Sequence, residues 1–356
     1  MTPFDPDAAA RPGSGVYGLP TTSEEAQVVL LPVPFDATTS YRPGTAGGPG
    51  AILEASRQVE LFDPELGRIY EAGIAMLPEP EELRALNHAA RRAAEPVIAA
   101  GGVDAVEPGT SGAAALRAAA AEVDGACEAV RQWVAGQARR LLETGRLPVV
   151  VGGEHSVPLG AIEACAERHP GLGLLHVDAH ADLRLAFEGF ASSHASIMRN
   201  VCERVPGVGR LVQVGVRDVG QEELAYARAR PERVRIHLDA ELATRRLEGE
   251  PWSRQIARVL ADLPAEVYLS FDIDGLEPGL CPGTGTPVPG GLSFHEAVAL
   301  VAGVARSGRR LVGIDLCEVA PRPGDDWDGN VGARLLYKLI GWALRSRAAA
   351  GRAGPG

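Results

Sequence analysis

The sequence predicts an α/β fold: a single-domain, three-layer αβα architecture around an eight-stranded, mainly parallel sheet. Three observations carry that expectation. Eight short β-branched apolar runs recur along the chain, most of them apolar at consecutive positions, as strands buried on both faces are. Segments of helical periodicity separate several of them, and strand–helix alternation is the pattern of a parallel sheet covered by helices on both faces. A chain of 356 residues that is 46% hydrophobic can bury a large core, and its Gly 43 and Pro 27 fall short of low-complexity composition.

Residues 1–16 lack periodicity and are expected to form a disordered arm, ahead of a domain over 17–345. Strands are expected at Val28–Pro32, Gly73–Leu77, Pro148–Val151, Gly173–Asp178, Leu211–Val216, Val234–Leu238, Val267–Phe271 and Leu311–Leu316. The stretch 80–145 is expected to be a helical insertion. It has helices on either side of a loop at 101–112, and the second carries a Cys127, Val130, Val134, Leu141 stripe. Ser293 and Glu296 form a capping box that opens a helix reaching Ala305. Residues 346–356 are rich in Ala, Gly and Arg and are expected to be a flexible tail.

A net charge of −11 argues against a nucleic acid or an anionic membrane as partner. No run is long and apolar enough to predict a membrane span. The five cysteines form an odd set without a Cys-x-x-Cys pair, which predicts neither a disulfide framework nor a thiolate zinc site. With Asp5 and Asp7 where a signal peptide would be basic, the expected location is the cytoplasm.

Three segments place acids and histidines just past predicted strands, where open α/β sheets bind ligands: Gly152-Gly153-Glu154-His155-Ser156, Asp178-Ala179-His180-Ala181-Asp182 and Asp272-Ile273-Asp274. A spacing of two puts alternate side chains on one side of an extended chain, so four carboxylates and two imidazoles can converge. Oxygen donors with a minority of imidazole and no thiolate suit manganese, and four aspartates carry more charge than one divalent ion absorbs. By composition an Asp-x-His-x-Asp arises roughly 0.02 times in such a chain, so coincidence is a poor account of it. Helix capping explains single aspartates but not four in pairs at strand ends. His176, at an alternating position inside a strand, is expected to pack beside the site rather than to bind metal.

These motifs, in this order, followed by Pro282-Gly283-Thr284-Gly285-Thr286-Pro287 and Glu318, resemble the ureohydrolases, the arginases, agmatinases and their relatives. The Pro34–Gly44 loop (PFDATTSYRPG) makes the likeness strongest to agmatinases, over about Val28 to Trp342. The resemblance implies two Mn²⁺ per chain, with Ni²⁺ or another divalent ion as alternative. His155, Asp178, Asp182 and Asp272 match the ligands of one ion, and Asp178, His180, Asp272 and Asp274 those of the other. It also implies catalytic roles: Asp182 hydrogen-bonds the attacking hydroxide and helps protonate the leaving amine, His194 shuttles protons, and Glu318 pairs with the substrate guanidinium. The implied partners are a small guanidino substrate and further copies of the chain, as a trimer or hexamer.

Where arginases hold the amino-acid end of arginine with an Asn and an acid, this chain has Arg184 and Gly220, which disfavours arginine. Agmatine, cleaved to putrescine and urea, is the leading substrate. Arg184 keeps guanidino acids of the guanidinobutyrate type and free guanidine open, ahead of arginine or formimidoylglutamate. The different-class alternative is a catalytically silent regulatory or scaffold homologue.

Overall fold

The computed structural model describes residues 4–352, with the side chains of the last three left aside. Along the chain run β1 (Val28–Val33), α1 (Gly48–Ser56), β2 (Ile74–Met76), α2 (Glu81–Ala100), α3 (Ser111–Glu143), β3 (Leu147–Gly152), α4 (Leu159–Arg168) and β4 (Leu172–Val177). Then come α5 (Ile197–Arg204), β5 (Val208–Val216), α6 (Gln221–Arg228), β6 (Val234–Leu238), α7 (Asp239–Leu247) and α8 (Trp252–Ala261). The chain closes with β7 (Glu266–Asp272), α9 (Phe294–Arg306), β8 (Arg310–Cys317) and α10 (Trp327–Arg352).

The eight strands form one parallel sheet in the order β2-β1-β3-β8-β7-β4-β5-β6. Each expected strand is present, displaced by at most three residues at either end. Because β1, β3 and β4 are buried along their whole length, the sheet needs helices on both faces. One apolar core gathers Ile52 of α1, Ile256 of α8, Leu300 of α9 and Leu339 of α10. The other gathers Leu83 of α2, Val130 of α3, Ile162 of α4 and Ile197 of α5. The Ser293 capping box forms as expected.

The stretch 80–145 is α2 and α3, joined by turns. Val123, Val130 and Val134 of α3 are fully or nearly fully buried within the second core, so these helices help cover that face of the sheet. The C-terminal boundary expected at 345 is corrected, because α10 continues to Arg352. Ser346 is 1% exposed, receives the Leu311 N–H at 3.0 Å and donates to Ala343 at 2.7 Å, which ties that turn to β8. Residues 353–356 of the expected tail, and 1–3 of the expected arm, lie outside the described residues. The rest of the arm runs in turns and is held to the body, with the Arg57 guanidinium on the Ser14 carbonyl and the Phe4 ring edge-on to Tyr70.

Chain order places β1 to β3 on one half of the sheet and β4 to β6 on the other, and β7 and β8 fill the gap between. The strand order therefore switches direction at the centre. The crevice at a switch point, beyond the C-terminal strand ends, is where such sheets hold ligands.

Candidate metal centre

The three acid- and histidine-bearing segments leave β3, β4 and β7, which with β8 are the four central strands. Their side chains meet. His155 Nδ1 lies 3.1 Å from Asp178 Oδ2, 3.3 Å from Asp272 Oδ2 and 3.5 Å from Asp182 Oδ2. His180 Nδ1 lies 3.4 Å from Asp178 Oδ1 and 3.1 Å from Asp274 Oδ2. Among the described residues, two groups of metal-capable donors result, one of His155, His176, Asp178 and Asp182, the other of Asp178, His180 and Asp274, and Asp178 belongs to both.

Backbone amides aim the carboxylates. Asp178 Oδ1 receives the His180 N–H at 2.6 Å, Asp272 Oδ1 the Asp274 N–H at 2.8 Å, and Asp274 Oδ1 the Ala179 N–H at 3.0 Å. In each, one oxygen is tied to the main chain and the other faces the cluster. Asp272 thus does cap the short 3₁₀ turn Ile273–Gly275, as a bland reading of a strand-end aspartate requires, while its second oxygen remains free for another task.

The imidazoles are fixed from behind. His155 Nε2 contacts Ser270 Oγ at 2.9 Å, and Ser270 donates to Asp315 at 3.1 Å. His176 sits beside Asp178, its Nε2 2.9 Å from Oδ2, with its Nδ1 2.8 Å from Gln213 Nε2. A third donor grouping, His155 with Asp315 and Cys317, lies on the Nε2 side of the ring. Burial, then Asp315, pushes the Cys317 thiol well above its usual range.

The local backbone is under constraint. A Cβ on Gly153 would overlap the Phe35 carbonyl, which explains the second glycine of the Gly-Gly-Glu-His-Ser motif. Asp182 and Glu318 hold left-handed conformations, φ 52° and 65°, that residues other than glycine seldom adopt. Glu318 leaves β8 with Oε1 accepting the His155 N–H at 2.8 Å. Its Oε2 lies near Gly285 of the 282–287 loop, and Arg42 of the Pro34–Gly44 loop donates to the Pro282 carbonyl at 2.7 Å.

The electrostatics fit a cation site. Burial, then neighbouring carboxylates, hold Asp182, Asp272 and Glu318 well above the usual carboxylate range. Burial opposes charge on His180, but Asp274 and Asp178 outweigh it and raise the ring to about 12. A cluster of buried acids that forces protons onto its own members is short of positive charge, and divalent ions supply it. With oxygen and imidazole donors only, the set is of the hard, manganese-compatible kind.

His194 stands at the edge of this cluster, pushed down to about 4 by burial and then by His180, so it is neutral near pH 7. Its Nδ1 lies 3.0 Å from Thr38 Oγ1, and Phe187 packs edge-on to the ring. Sequence reasoning assigned no part to Thr38, Ser270, Gln213 or Asp315. Ser270 had a signal, as the residue two before Asp272 on the same face of β7, and Thr38 lay within the Pro34–Gly44 loop that carried the resemblance, though nothing there pointed to His194. The others come from strands or loops whose registry is not written locally.

The fold, the switch-point crevice and two donor groups sharing an aspartate make a cluster that could hold metal, and the chain belongs to the Arginase family, a family of binuclear metal hydrolases, whose profile matches residues 26–341. Its relatives include an N(1)-aminopropylagmatine ureohydrolase of Thermus thermophilus, 36% identical over 326 residues, 90% of this chain and 92% of that one. The agmatinase of Bacillus subtilis is 30% identical over 324 residues, 89% and 92% of the two chains. Among solved structures, the agmatine ureohydrolase of Thermoplasma volcanium superposes with TM-score 0.71 at 24% identity, over 94% of this chain and 96% of that one, a likeness of fold.

Proposed function

We propose that the chain cleaves a guanidino compound with an amine at its far end, agmatine to putrescine and urea, using two Mn²⁺. The observation that carries this reading is the convergence of six donors with a carboxylate, Glu318, whose Oε2 faces the loops at the opening. His155, Asp178, Asp182 and Asp272 would hold one ion, and Asp178, His180, Asp272 and Asp274 the other. When bound, such a pair lowers the pKa of water so that a nucleophile exists at neutral pH. Glu318 receives the planar guanidinium N–H groups and turns its carbon toward the cluster. Asp182 accepts a proton as water adds to that carbon and returns one to the leaving nitrogen when the C–N bond breaks. His194, in the position the resemblance assigns to a proton carrier, carries protons to and from solvent.

Two features support an amine over an acid at the far end. Arg184, 46% exposed, lies over the Phe187 ring at 5.0 Å with Nε 3.9 Å from Glu223, so its charge is engaged at the surface. The chain as a whole is acidic, which favours cationic ligands. Gly220 supplies no acid for an α-amino group. Urea release from the manganese-loaded protein with agmatine, its N1-aminopropyl derivative, guanidinobutyrate, arginine and guanidine tests the reading. Agmatine no better than arginine would remove it. Guanidinobutyrate as best substrate would reassign the far end. On the resemblance alone we also propose a homo-oligomer, for light scattering to check.

A further inference from the structure

Thr38 is 156 residues from His194 and 116 from Glu154 in sequence, yet its hydroxyl touches both. Oγ1 lies 2.9 Å from Glu154 Oε1, 3.0 Å from His194 Nδ1 and 3.2 Å from the His194 backbone nitrogen. A hydroxyl has one proton and two lone pairs, and here every place is assigned. The backbone N–H can only donate, so it takes one lone pair. Glu154, fully buried, also receives the Thr38 N–H at 2.8 Å, the Ser156 hydroxyl at 2.6 Å and the Thr39 hydroxyl at 3.3 Å, donors that favour its carboxylate form, and as a carboxylate it accepts the Thr38 proton. With Glu154 as the acceptor, the remaining lone pair faces His194 Nδ1, which then carries hydrogen.

We infer that Thr38, backed by Glu154, is a positioning residue that fixes His194 as the Nδ1–H tautomer and leaves the Nε2 lone pair as the place where a proton lands. The inference rests on the reading of His194 as the proton carrier. In the other tautomer Nε2 already holds a proton and accepts none, so rotation or tautomer exchange would slow proton transfer without touching metal or guanidinium binding. The Phe187 ring, edge-on at 5.7 Å and 83°, limits ring rotation but cannot choose a tautomer.

The test uses the manganese-loaded protein with agmatine and reads kcat, KM, metal content and melting temperature for Thr38→Val, Thr38→Ser, Thr38→Ala, His194→Asn and the Val–Asn double variant. Expected for Thr38→Val are two ions, KM within about 3-fold and kcat lower by about 10- to 100-fold, with Thr38→Ser restored to within about 3-fold of wild type. In the double variant the Val substitution should cost nothing further, since its effect passes through His194. Thr38→Ala takes the place of Val if that variant does not fold. Unchanged kcat in Thr38→Val beside a large loss in His194→Asn overturns the positioning role and leaves His194 as carrier. Loss of metal, or failure of Ser to rescue, also overturns it in favour of a packing role. No loss in His194→Asn removes the carrier reading itself, and the tautomer argument with it.

Discussion

The strand-end cluster and the loops around its opening are built on opposite plans. At the ends of β4 and β7, Asp178, Asp272 and Asp274 each have one oxygen on a main-chain N–H, and all three are nearly fully buried. A few residues further along the chain, Leu185 is 70% exposed, Tyr41 of the facing loop 63%, and Arg184 reaches Glu223 only at 3.9 Å. On the proposed function, the difference teaches that the reacting end of the substrate would meet groups fixed by the backbone, whereas the far end would meet side chains free to change. A family can then keep its chemistry while its substrates diverge.

The sharpest way to break this comparison is to remove Asp178, the aspartate that belongs to both donor groups and is proposed to serve both ions. Asp178→Asn should leave one ion or none by metal analysis, and lower kcat by about 10³-fold or more. Chelation of the wild type should do the same reversibly, with activity restored by Mn²⁺. Two ions retained in Asp178→Asn would show that the backbone-aimed oxygen is not a ligand.

Next in size, Glu318→Gln separates binding of the guanidinium from binding of metal. The amide still accepts the His155 N–H but gives no charge-assisted pair, a loss of about 1.5–3 kcal/mol, so kcat/KM should fall by about 10- to 150-fold with both ions kept. Metal loss equal to that in Asp178→Asn would move Glu318 into the ligand set.

That contrast also explains what could be read from the sequence. Asp178, His180 and Asp182, like Asp272 and Asp274, are spaced by two at a strand end, which marks them in the sequence, but the extended chain expected there is not what aims them: Asp274 lies in the 3₁₀ turn Ile273–Gly275 and Asp182 is left-handed. The strands themselves were legible because burial on both faces leaves an uninterrupted β-branched run. Thr38 and Asp315 were not legible, since their partners, His194 and Ser270, are 156 and 45 residues away and only the assembled sheet brings them near. The end of the last helix was missed for a related reason: Ser346 looks like tail composition, but its hydroxyl closes onto the Leu311 amide.

A smaller effect sharpens the inner half of the comparison. Ser270→Ala deletes the hydroxyl between His155 Nε2 and Asp315 without altering a donor that faces the cluster. Ligand-supporting hydrogen bonds of this kind are worth about 10- to 100-fold in metal affinity, and the buried Asp315, which loses one donor and keeps the Phe271 N–H at 3.1 Å, adds a smaller stability cost. Titration of metal-depleted protein with Mn²⁺ should show weaker binding, with kcat near wild type at saturating metal. A kcat that stays low at saturating Mn²⁺ would mean that Ser270 does more than orient the ring.

The smallest effect belongs to Arg184, and it tests the outer half. Its two contacts are a cation–π approach to Phe187 at 5.0 Å and a 3.9 Å ion pair with Glu223, and half-exposed interactions of either kind contribute about 1 kcal/mol or less. Removing it does not strand its partner, because Glu223 is held independently by the Gly220 N–H at 2.7 Å and the Leu183 N–H at 2.9 Å. Nor does it move Asp182, whose carbonyl is fastened by the Met198 and Arg199 amides at the start of α5. Arg184→Ala should therefore change kcat/KM for agmatine by no more than about 3-fold and leave metal content untouched. Because the substitution deletes a positive charge near the opening, any change for a cationic substrate should be a gain, and one that fades as salt rises. If guanidinobutyrate turned out to be the better substrate and Arg184→Ala abolished that preference, Arg184 would be a substrate-holding group and the opening as firmly built as the cluster beneath it.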